Sequence, residues 1–257
     1  MHQLEESLKT LRLSGARQTL TTRLQEAVGN NLSHQEFLEL LLQDEVTVRK
    51  QRAIQRRLKK ANFRDLKTLE DFDFSFNTHI KRPEIYELAA GHFVNDAQDV
   101  LFLGPPGVGK SHLVQAIGYN LVRIGFTTVY YRSIFDLVRD FFHEEQQIET
   151  EAILARYLKP QLLIIDDMGI KQLPHRAGEH LFEVIMRRHE TRSTIMTTNR
   201  PVEEWGKLLN DVPAATAILD RFLQTAKMIA ISGRSYRLRN QAHDESVLDK
   251  TENEAIQ

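Results

Sequence analysis

The sequence predicts an α/β fold in which a parallel sheet is flanked by helices and preceded by a small all-α N-terminal domain. After residue 98, short apolar runs alternate with helical segments, which is typical of parallel strands buried on both faces. Before residue 66 the pattern is helical and contains no proline. A chain of 257 residues is long enough for both parts.

The N-terminal domain is predicted over residues 1–65, with one glycine-containing break at 28–31. Ser33 and Glu36 form a capping box, which predicts the start of a helix that continues to about Ala61. An apolar stripe at helical spacing follows the cap and is a candidate surface for self-assembly. The stripe consists of Phe37, Leu38, Leu41 and Leu42.

Basic residues are concentrated at the end of this helical region. Eight lysines and arginines, and no acidic residue, lie between Val46 and Arg64. Such a run indicates contact with the phosphate backbone of duplex DNA, largely without sequence preference. It equally fits a solvated helix face, or one balanced by acidic partners in a neighbouring subunit. The candidate DNA-binding residues are Arg49, Lys50, Arg52, Arg56, Arg57, Lys59 and Lys60.

The second domain is predicted over residues 66–240. Its predicted strands are 100–103, 127–131, 162–165, 193–197 and 228–231, and its main helices are 83–93, 110–124, 134–143, 177–188 and 214–223. Residues 241–257 are acidic and low in hydrophobicity, and are predicted to form a disordered tail.

Residues 104–111 fit the phosphate-loop pattern G-x-x-x-x-G-K-[ST], between a predicted strand and a predicted helix. Glycines let successive N–H groups converge on phosphate oxygens, and the helix N-terminus adds partial positive charge. Lys110 is predicted to reach the β- and γ-phosphates of ATP, and the Ser111 hydroxyl to bind Mg²⁺. The alternative is a Gly-Pro turn before a helix. The candidate nucleotide-binding residues are Gly104, Pro105, Pro106, Gly107, Val108, Gly109, Lys110, Ser111 and His112.

An apolar strand ending in two aspartates is the second element of the predicted site. Asp166 follows the run 162–165 and would lie at the carboxyl edge of the sheet, where ligands bind in open α/β folds. We predict that Asp166 holds Mg²⁺ and that Asp167 orients or deprotonates the attacking water. The alternative is that both aspartates only cap the strand end and form a turn.

Three further segments carry a family resemblance. Thr197, Thr198 and Asn199 close a predicted strand, while residues 219–222 (Leu-Asp-Arg-Phe) and 232–237 (Ser-Gly-Arg-Ser-Tyr-Arg) follow in order. With the phosphate loop and the acidic strand, they resemble a P-loop NTPase of the AAA+ class. More narrowly, the chain resembles IstB-like ATP-binding helpers of insertion-sequence transposases, which are related to DnaC helicase loaders. The resemblance extends from the helical N-terminal region through Arg237.

The resemblance implies further catalytic roles. Asn199 would position water against the γ-phosphate, Arg221 would act as an arginine finger in a neighbouring subunit, and Arg237 would contact the nucleotide of its own subunit. It also places residues 71–74 (Asp-Phe-Asp-Phe) at the approach to the adenine pocket.

Chemistry alone leaves alternatives for these residues. Asn199 fits a turn before Arg200 and Pro201. Arg221 fits a surface arginine paired with Asp220 or Glu204. Arg237 fits contacts with helix carbonyls or with the acidic tail. The pair Phe72 and Phe74 fits a hydrophobic core as well as an adenine platform.

The family pattern has glutamate where this sequence has Asp167. Aspartate is one methylene shorter, so its carboxylate lies about 1.5 Å farther back. A displacement of that size can lower a rate about 100-fold. We therefore expect ATP binding to survive and hydrolysis to be slow.

Composition and resemblance together give the functional prediction. Cysteine is absent, which excludes disulfides and thiolate metal sites. The polar N-terminus and the lack of a long apolar run predict a cytoplasmic protein without a membrane segment. The resemblance implies an ATPase that forms homo-oligomers on target DNA and engages a transposase. A helicase loader and a DNA clamp that hardly hydrolyses ATP are the alternatives.

Overall fold

The computed structural model describes residues 2–125, 127–142, 147–174 and 176–238. The chain divides into two compact units, Met1–Lys59 and Lys60–Gln257. The tail predicted at 241–257 and the end of the helix predicted over 134–143 lie outside the described residues. No helix in the described ranges is both long and apolar enough to cross a membrane.

The first unit is helical. It contains α1 (His2–Thr10), α2 (Ser14–Gly29) and most of α3 (His34–Ala61), which continues into the second unit. A second break, which the sequence analysis did not predict, separates α1 from α2 at Arg12, whose φ is 58°. The predicted capping box is confirmed, since Ser33 N donates to Glu36 Oε2 at 2.8 Å and Glu36 N donates to Ser33 Oγ at 3.3 Å.

The core of the first unit uses only half of the predicted apolar stripe. Phe37 and Leu41 pack with residues of α1 and α2, whereas Leu38 and Leu42 are 52% and 46% exposed. The stripe includes adjacent positions, 37 with 38 and 41 with 42, so it is wider than the side of α3 that α1 and α2 cover. The buried members of this core are Leu8, Ala16, Leu20 and Leu41.

The second unit contains a five-stranded parallel sheet with the order β2-β3-β4-β1-β5. The strands are β1 (Val100–Leu103), β2 (Val129–Ser133), β3 (Leu162–Met168), β4 (Ser193–Thr198) and β5 (Lys227–Ala230). The predicted parallel sheet is therefore confirmed. β2 begins two residues later than predicted, and Thr128 just before it accepts from Leu162 N at 3.1 Å.

Helices cover the sheet on both faces. They are α4 (Arg82–Ala90), α5 (His92–Asn95), α6 (Lys110–Arg123), α7 (Ile134–Phe142), α8 (Gln147–Leu158), α9 (Ala177–Arg188), α10 (Trp205–Leu209) and α11 (Val212–Thr225). The predicted helix 83–93 is instead two helices, because Gly91 has a left-handed φ of 87° that ends α4. The helix α8 was not predicted.

Alternate residues of β3 serve the two faces. Leu163 and Ile165 belong to the core formed with α7, α9 and α11, whereas Ile164 contacts α6 beside Gly118. The strand is therefore buried on both sides, which is why its sequence is a continuous apolar run rather than an alternating one. Because all strands are parallel, their carboxyl ends meet at one edge, where β1 and β3 both end.

Candidate functional site

The loop that joins β1 to α6 is held close to other backbone. A Cβ on Gly104 would lie 2.1 Å from the Ile231 carbonyl oxygen, so only glycine fits there. Gly109 has φ 102° and stands at the N-terminus of α6. Tyr236 N donates to Gly107 O at 2.9 Å and ties the loop to the segment after β5. The loop therefore presents the N-terminus of α6 to the carboxyl edge of the sheet, as an anion site requires.

Lys110 lies inside this loop and is only 8% exposed. Its Nζ donates to the carbonyl oxygens of Gly104 at 2.7 Å and Pro105 at 2.9 Å. Burial lowers the pKa of Lys110, while the nearby charges of Asp166 and Asp167 act in the opposite direction. An ammonium held by neutral carbonyls is available to an incoming anion, which is a stronger partner.

Asp166 is fully buried and surrounded by hydrogen-bond donors. Ser111 Oγ donates to its Oδ1 at 3.1 Å, and Tyr131 OH donates to its Oδ2 at 2.7 Å. Thr197 Oγ1 and the Asp167 backbone N–H also donate to Oδ1. Burial, followed by the charge of Asp166, raises the pKa of Tyr131, so that hydroxyl stays protonated and donates. These contacts hold the Asp166 carboxylate next to Ser111, where the phosphate loop leads into the first turn of α6.

Asp167 differs from Asp166 because its side chain reaches the surface of the site. It has φ 66°, and its side chain is 18% exposed. Its Oδ2 accepts from Arg64 Nη2 at 3.0 Å. Burial and the adjacent Asp166 charge raise the pKa of Asp167, and the contact with Arg64 opposes them.

Asn199 lies beside the turn after β3. Its backbone N–H donates to Met168 O at 3.2 Å. With the amide nitrogen facing the turn, Nδ2 donates to Gly169 O at 3.1 Å and Met168 O at 3.2 Å. Arg200 Nε also donates to Gly169 O, so both residues after β4 fix this turn. Asn199 therefore shapes a turn and also lines the cavity described next.

A cavity of about 630 Å³ opens over these residues, which is within the usual range for small-molecule sites. Its polar end is formed by the phosphate loop with Asp167 and Asn199. Aromatic and amide side chains form another part of the wall: Phe72, Phe76, Asn77 and Tyr236. Phe74 does not line the cavity and instead packs against Phe72 and Tyr86. The cavity thus combines a phosphate-binding end with flat apolar groups that suit a nucleotide base.

The predicted nucleotide-binding residues lie at this cavity. Residues 106–112 line it, and Gly104 and Pro105 contribute the carbonyls that hold Lys110. The His112 ring contacts Phe72 at 5.2 Å between centroids, and its Nε2 lies 2.9 Å from Thr68 O. His112 is therefore at the wall but is also used within the protein.

The two predicted arginines lie in different places. Arg237 lines the cavity near Lys110 and Asp167. Arg221 is exposed on α11 and does not line the cavity. Glu204, one of its possible partners, is paired with Arg200 at 2.8 Å instead, and within the described ranges no ion pair involves Arg221. An exposed, unpaired arginine outside its own site is free to reach a neighbouring molecule.

The side chains present fit Mg²⁺. Ser111 and Asp166 supply a hydroxyl and a carboxylate in direct contact. No cluster of three or more metal-binding side chains occurs in the part of the chain that the structure describes. Mg²⁺ usually binds through one or two carboxylates with water and substrate phosphates rather than in a protein cage. Ser111 and Asp166 could therefore hold the ion together with a bound nucleotide.

The predicted DNA-binding residues all lie on α3, and Arg49, Arg52 and Arg57 interact with other residues of the chain. Arg49 Nε donates to Glu45 Oε1 at 2.6 Å, and Arg52 donates to Ser14 Oγ at 2.5 Å. Glu45 is 4% exposed and also accepts from the first N–H groups of α2. The side chains of Lys50, Arg56, Lys59 and Lys60 are exposed.

Sequence reasoning missed four residues of the site. Tyr131 and Thr197 donate to Asp166, and Arg64 pairs with Asp167. Gln115 donates to Ser111 O and accepts from the backbone N–H groups of Arg64 and Asp65. The alternation within β2, which buries Val129, Tyr131 and Ser133 on one face, was the available signal for Tyr131. No local pattern identifies Arg64 or Gln115, because their partners lie about 100 and 50 residues away.

Comparison with known proteins identifies the family. The model of the family described as IstB-like ATP binding protein matches residues 6–244. The chain belongs to this family. An insertion sequence IS5376 putative ATP-binding protein of Geobacillus stearothermophilus is 38% identical over 82% of this chain and 83% of its own length. An insertion sequence IS21 putative ATP-binding protein of Pseudomonas aeruginosa is 36% identical over 93% of this chain and 90% of its own length.

Solved structures show the same fold class. The crystal structure of DnaI has a TM-score of 0.54 and 22% identity, over 64% of this chain and 90% of that one. The predicted P-loop fold of the AAA+ class and the predicted IstB resemblance are therefore both confirmed. This IstB-like chain is an insertion-sequence ATP-binding protein by family.

Proposed function

We propose that this protein is an ATP- and Mg²⁺-dependent regulator of transposition that hydrolyses ATP between subunits assembled on duplex DNA. The observation that carries the ATPase part is the contact of Ser111 with Asp166 beside the phosphate loop. This pair supplies the oxygen ligands that Mg²⁺ uses in P-loop sites. The names of the relatives, which are insertion-sequence ATP-binding proteins, support the role in transposition.

Nucleotide binding is assigned to the phosphate loop and the aromatic wall. Lys110 exchanges its bonds to the Gly104 and Pro105 carbonyls for bonds to phosphate oxygens. Phe72 and Phe76 flank the base. Ser111 and Asp166 would hold Mg²⁺, which would supply positive charge next to the phosphates. Arg237, which also lines the cavity, contacts the nucleotide of its own subunit.

Hydrolysis is assigned to Asp167 and Asn199 in one subunit and to Arg221 from the next. Asp167 and Asn199 both line the cavity, where they orient the attacking water. Arg221 is exposed on α11 and outside this cavity, as a residue that acts on a neighbour must be. An arginine finger in trans raises the rate about 10³- to 10⁵-fold and makes hydrolysis depend on assembly.

DNA binding is assigned to the helical N-terminal region, residues 1–65. The exposed cations of α3 bind phosphates and carry no base-reading pattern, so affinity falls with salt and depends little on sequence. Arg49 and Arg52 contribute less than the exposed lysines, because both already bond within the first unit. The DNA-bound oligomer is then the form that the transposase engages.

Sedimentation with long duplex DNA tests assembly. We expect large DNA-bound oligomers with ATP but not with ADP, and phosphate release stimulated by DNA in the same samples. Assembly without phosphate release would contradict the ATPase assignment and favour an ATP-dependent clamp. Failure to bind DNA in any nucleotide state would contradict the transposition assignment.

Mixing two inactive variants tests the action of Arg221 in trans. We expect Arg221→Ala and Lys110→Ala each to lack hydrolysis, because one has no finger and the other cannot hold phosphate. A mixture should recover activity, since the intact Arg221 of one variant meets the intact site of the other. Arg123→Ala, an exposed arginine on α6 that contacts Tyr119, is the matched control and should hydrolyse normally. A mixture as inactive as its components would contradict the assignment.

A further inference from the structure

The contact between Arg64 and Asp167 joins the end of the basic run to the reaction site. Arg64 is the last of the eight cations between Val46 and Arg64, four residues after Lys60. Its Nη2 donates to Asp167 Oδ2 at 3.0 Å. The same side chain thus belongs to the stretch that we assign to DNA and contacts the carboxylate that we assign to the attacking water.

We propose that Arg64 is a positioning residue that holds Asp167 away from the attacking water until nucleic-acid phosphates draw Arg64 off. This inference rests on the proposed hydrolysis and DNA binding. It adds a residue without an assigned role, and it states how a polyanion at the end of the basic run would affect the site. The occupant that releases Asp167 is the sugar-phosphate backbone of DNA.

The geometry of the pair supports restraint rather than assistance. Oδ2 of Asp167 accepts from the Arg64 guanidinium. The backbone N–H of Asp167 donates to Asp166 Oδ1 and Thr197 Oγ1. The backbone therefore cannot move to compensate for the short side chain. While Arg64 donates to Oδ2, this carboxylate oxygen is directed at the guanidinium and has one lone pair fewer to offer to water.

The segment that carries Arg64 is fixed to the helix of the phosphate loop. The backbone N–H groups of Arg64 and Asp65 both donate to Gln115 Oε1 at 3.1 Å. Gln115 is 3% exposed, and its Nε2 donates to Ser111 O at 3.1 Å. Phe63 packs beside Gly118, where a Cβ would lie 3.0 Å from the ring. The backbone is therefore anchored, and the side chain of Arg64 is the part that can change partner.

The side chain is accessible to a competing anion. The Arg64 side chain is 53% exposed, and its guanidinium donates to Asp167 Oδ2. Because the Arg64 side chain is half exposed, water screens part of its attraction to Asp167, so phosphate groups can compete for the guanidinium. Arginine also binds phosphate in the same two-pronged geometry as carboxylate, so the exchange keeps its hydrogen bonds. DNA bound at Lys60, four residues before Arg64 in the same unit, would bring those phosphates to the segment that carries Arg64.

Steady-state phosphate release by Arg64→Gln tests the proposal. Without DNA, we expect the maximal rate to rise about tenfold over the wild type, with KM for ATP unchanged. The stimulation by duplex DNA should fall towards one. Arg64→Lys keeps the charge and should keep most of the restraint. Arg123→Gln removes an exposed arginine on α6 and should behave as the wild type.

A double variant shows whether the effect acts through Asp167. In an Asp167→Ala background, Arg64→Gln should produce no gain, because the restrained group is gone. If duplex DNA stimulates the wild type but the DNA-free rate of Arg64→Gln is no higher than the DNA-free rate of the wild type, this inference alone is overturned. Phosphate release absent from the wild type and every variant, with ATP bound and DNA present, would overturn the ATPase proposal as well.

Discussion

Two buried aspartates occupy opposite ends of the same parallel sheet. Asp166 lies at the carboxyl end and is fully buried, and Asp99 lies just before β1 at the amino end and is 3% exposed. Asp166 is in contact with Ser111 at the phosphate loop. Asp99 accepts from Thr194 N at 2.7 Å and Thr225 Oγ1 at 3.0 Å.

The surroundings of the two carboxylates separate their roles. The donors to Asp166 include Ser111 and the N–H of Asp167, both of which line the cavity. The donors to Asp99 do not line the cavity. Arg188 lies near Asp99, and its guanidinium donates to the carbonyl oxygens of Pro160 and Ser193. Burial and charge are therefore not enough to identify an aspartate that takes part in the reaction. Contact with residues that line the cavity distinguishes Asp166 from Asp99.

The largest expected effect separates the two acids in function. Asp166→Asn keeps the shape but removes the charge that Mg²⁺ needs, so we expect phosphate release to fall about 10²- to 10³-fold. The matched Asp99→Asn variant should hydrolyse ATP within about twofold of the wild type, because it is far from the cavity. Single-turnover phosphate release measures both, and equal losses would contradict the distinction.

The next effect concerns stability at the amino end. Arg188 is 1% exposed and donates to Thr194 Oγ1 and to carbonyls including Pro160 O and Ser193 O. Arg188→Met leaves these acceptors and Asp99 buried without a cation, so we expect the free energy of unfolding to fall by about 3–5 kcal/mol. Chemical denaturation measures it.

Arg187→Met is the control, because Arg187 is 47% exposed and paired with Glu183 on the surface. It should change stability by less than about 1 kcal/mol. An Arg188→Met protein as stable as this control would show that the amino end does not depend on its buried guanidinium.

A pH effect should distinguish Asp99 next. Burial raises the pKa of Asp99 to about 6, above its ordinary value of 3.8. The folded protein therefore binds the proton more tightly than the unfolded chain, and the free energy of unfolding falls as pH rises from about 4 to 6. Asp99→Asn removes this dependence, so above pH 6 we expect the variant to be more stable by up to roughly 3 kcal/mol.

Denaturation of both proteins at several pH values measures the difference. If the difference in the free energy of unfolding between the wild type and Asp99→Asn stays the same from pH 6 down to pH 4, the pKa of Asp99 is not raised in the folded protein.

The smallest effect concerns the support of Asp166. Tyr131→Phe removes the hydroxyl that donates to Asp166 Oδ2 at 2.7 Å. We expect a loss of about 1 kcal/mol in stability, and a loss of hydrolysis of about tenfold or less, since three other donors remain. Tyr130→Phe, the next residue along β2, is the control. Identical rates for the two variants would mean that the Tyr131 hydroxyl does not position Asp166.

Local pattern was enough for much of the fold and part of the candidate site. Continuous apolar runs identify β1 and β3 because strands buried on both faces have no polar side. The motif at 104–111 identifies the phosphate loop because its chemistry needs glycine, lysine and serine at set spacings. The helix α8 escaped prediction, and the helix predicted over 83–93 divides at Gly91, where the chain adopts a left-handed conformation.

What the sequence by itself determined was therefore the fold class, the family resemblance, the phosphate loop and the acidic strand end. The tertiary structure alone brought Tyr131 and Thr197 to Asp166, and Arg64 to Asp167. It also placed Asp99 beside Thr194 and Thr225 rather than near the phosphate loop. The physical reason is that periodicity and turn chemistry act over a few residues, whereas these contacts join strands and loops that are 31 to 126 residues apart in the chain.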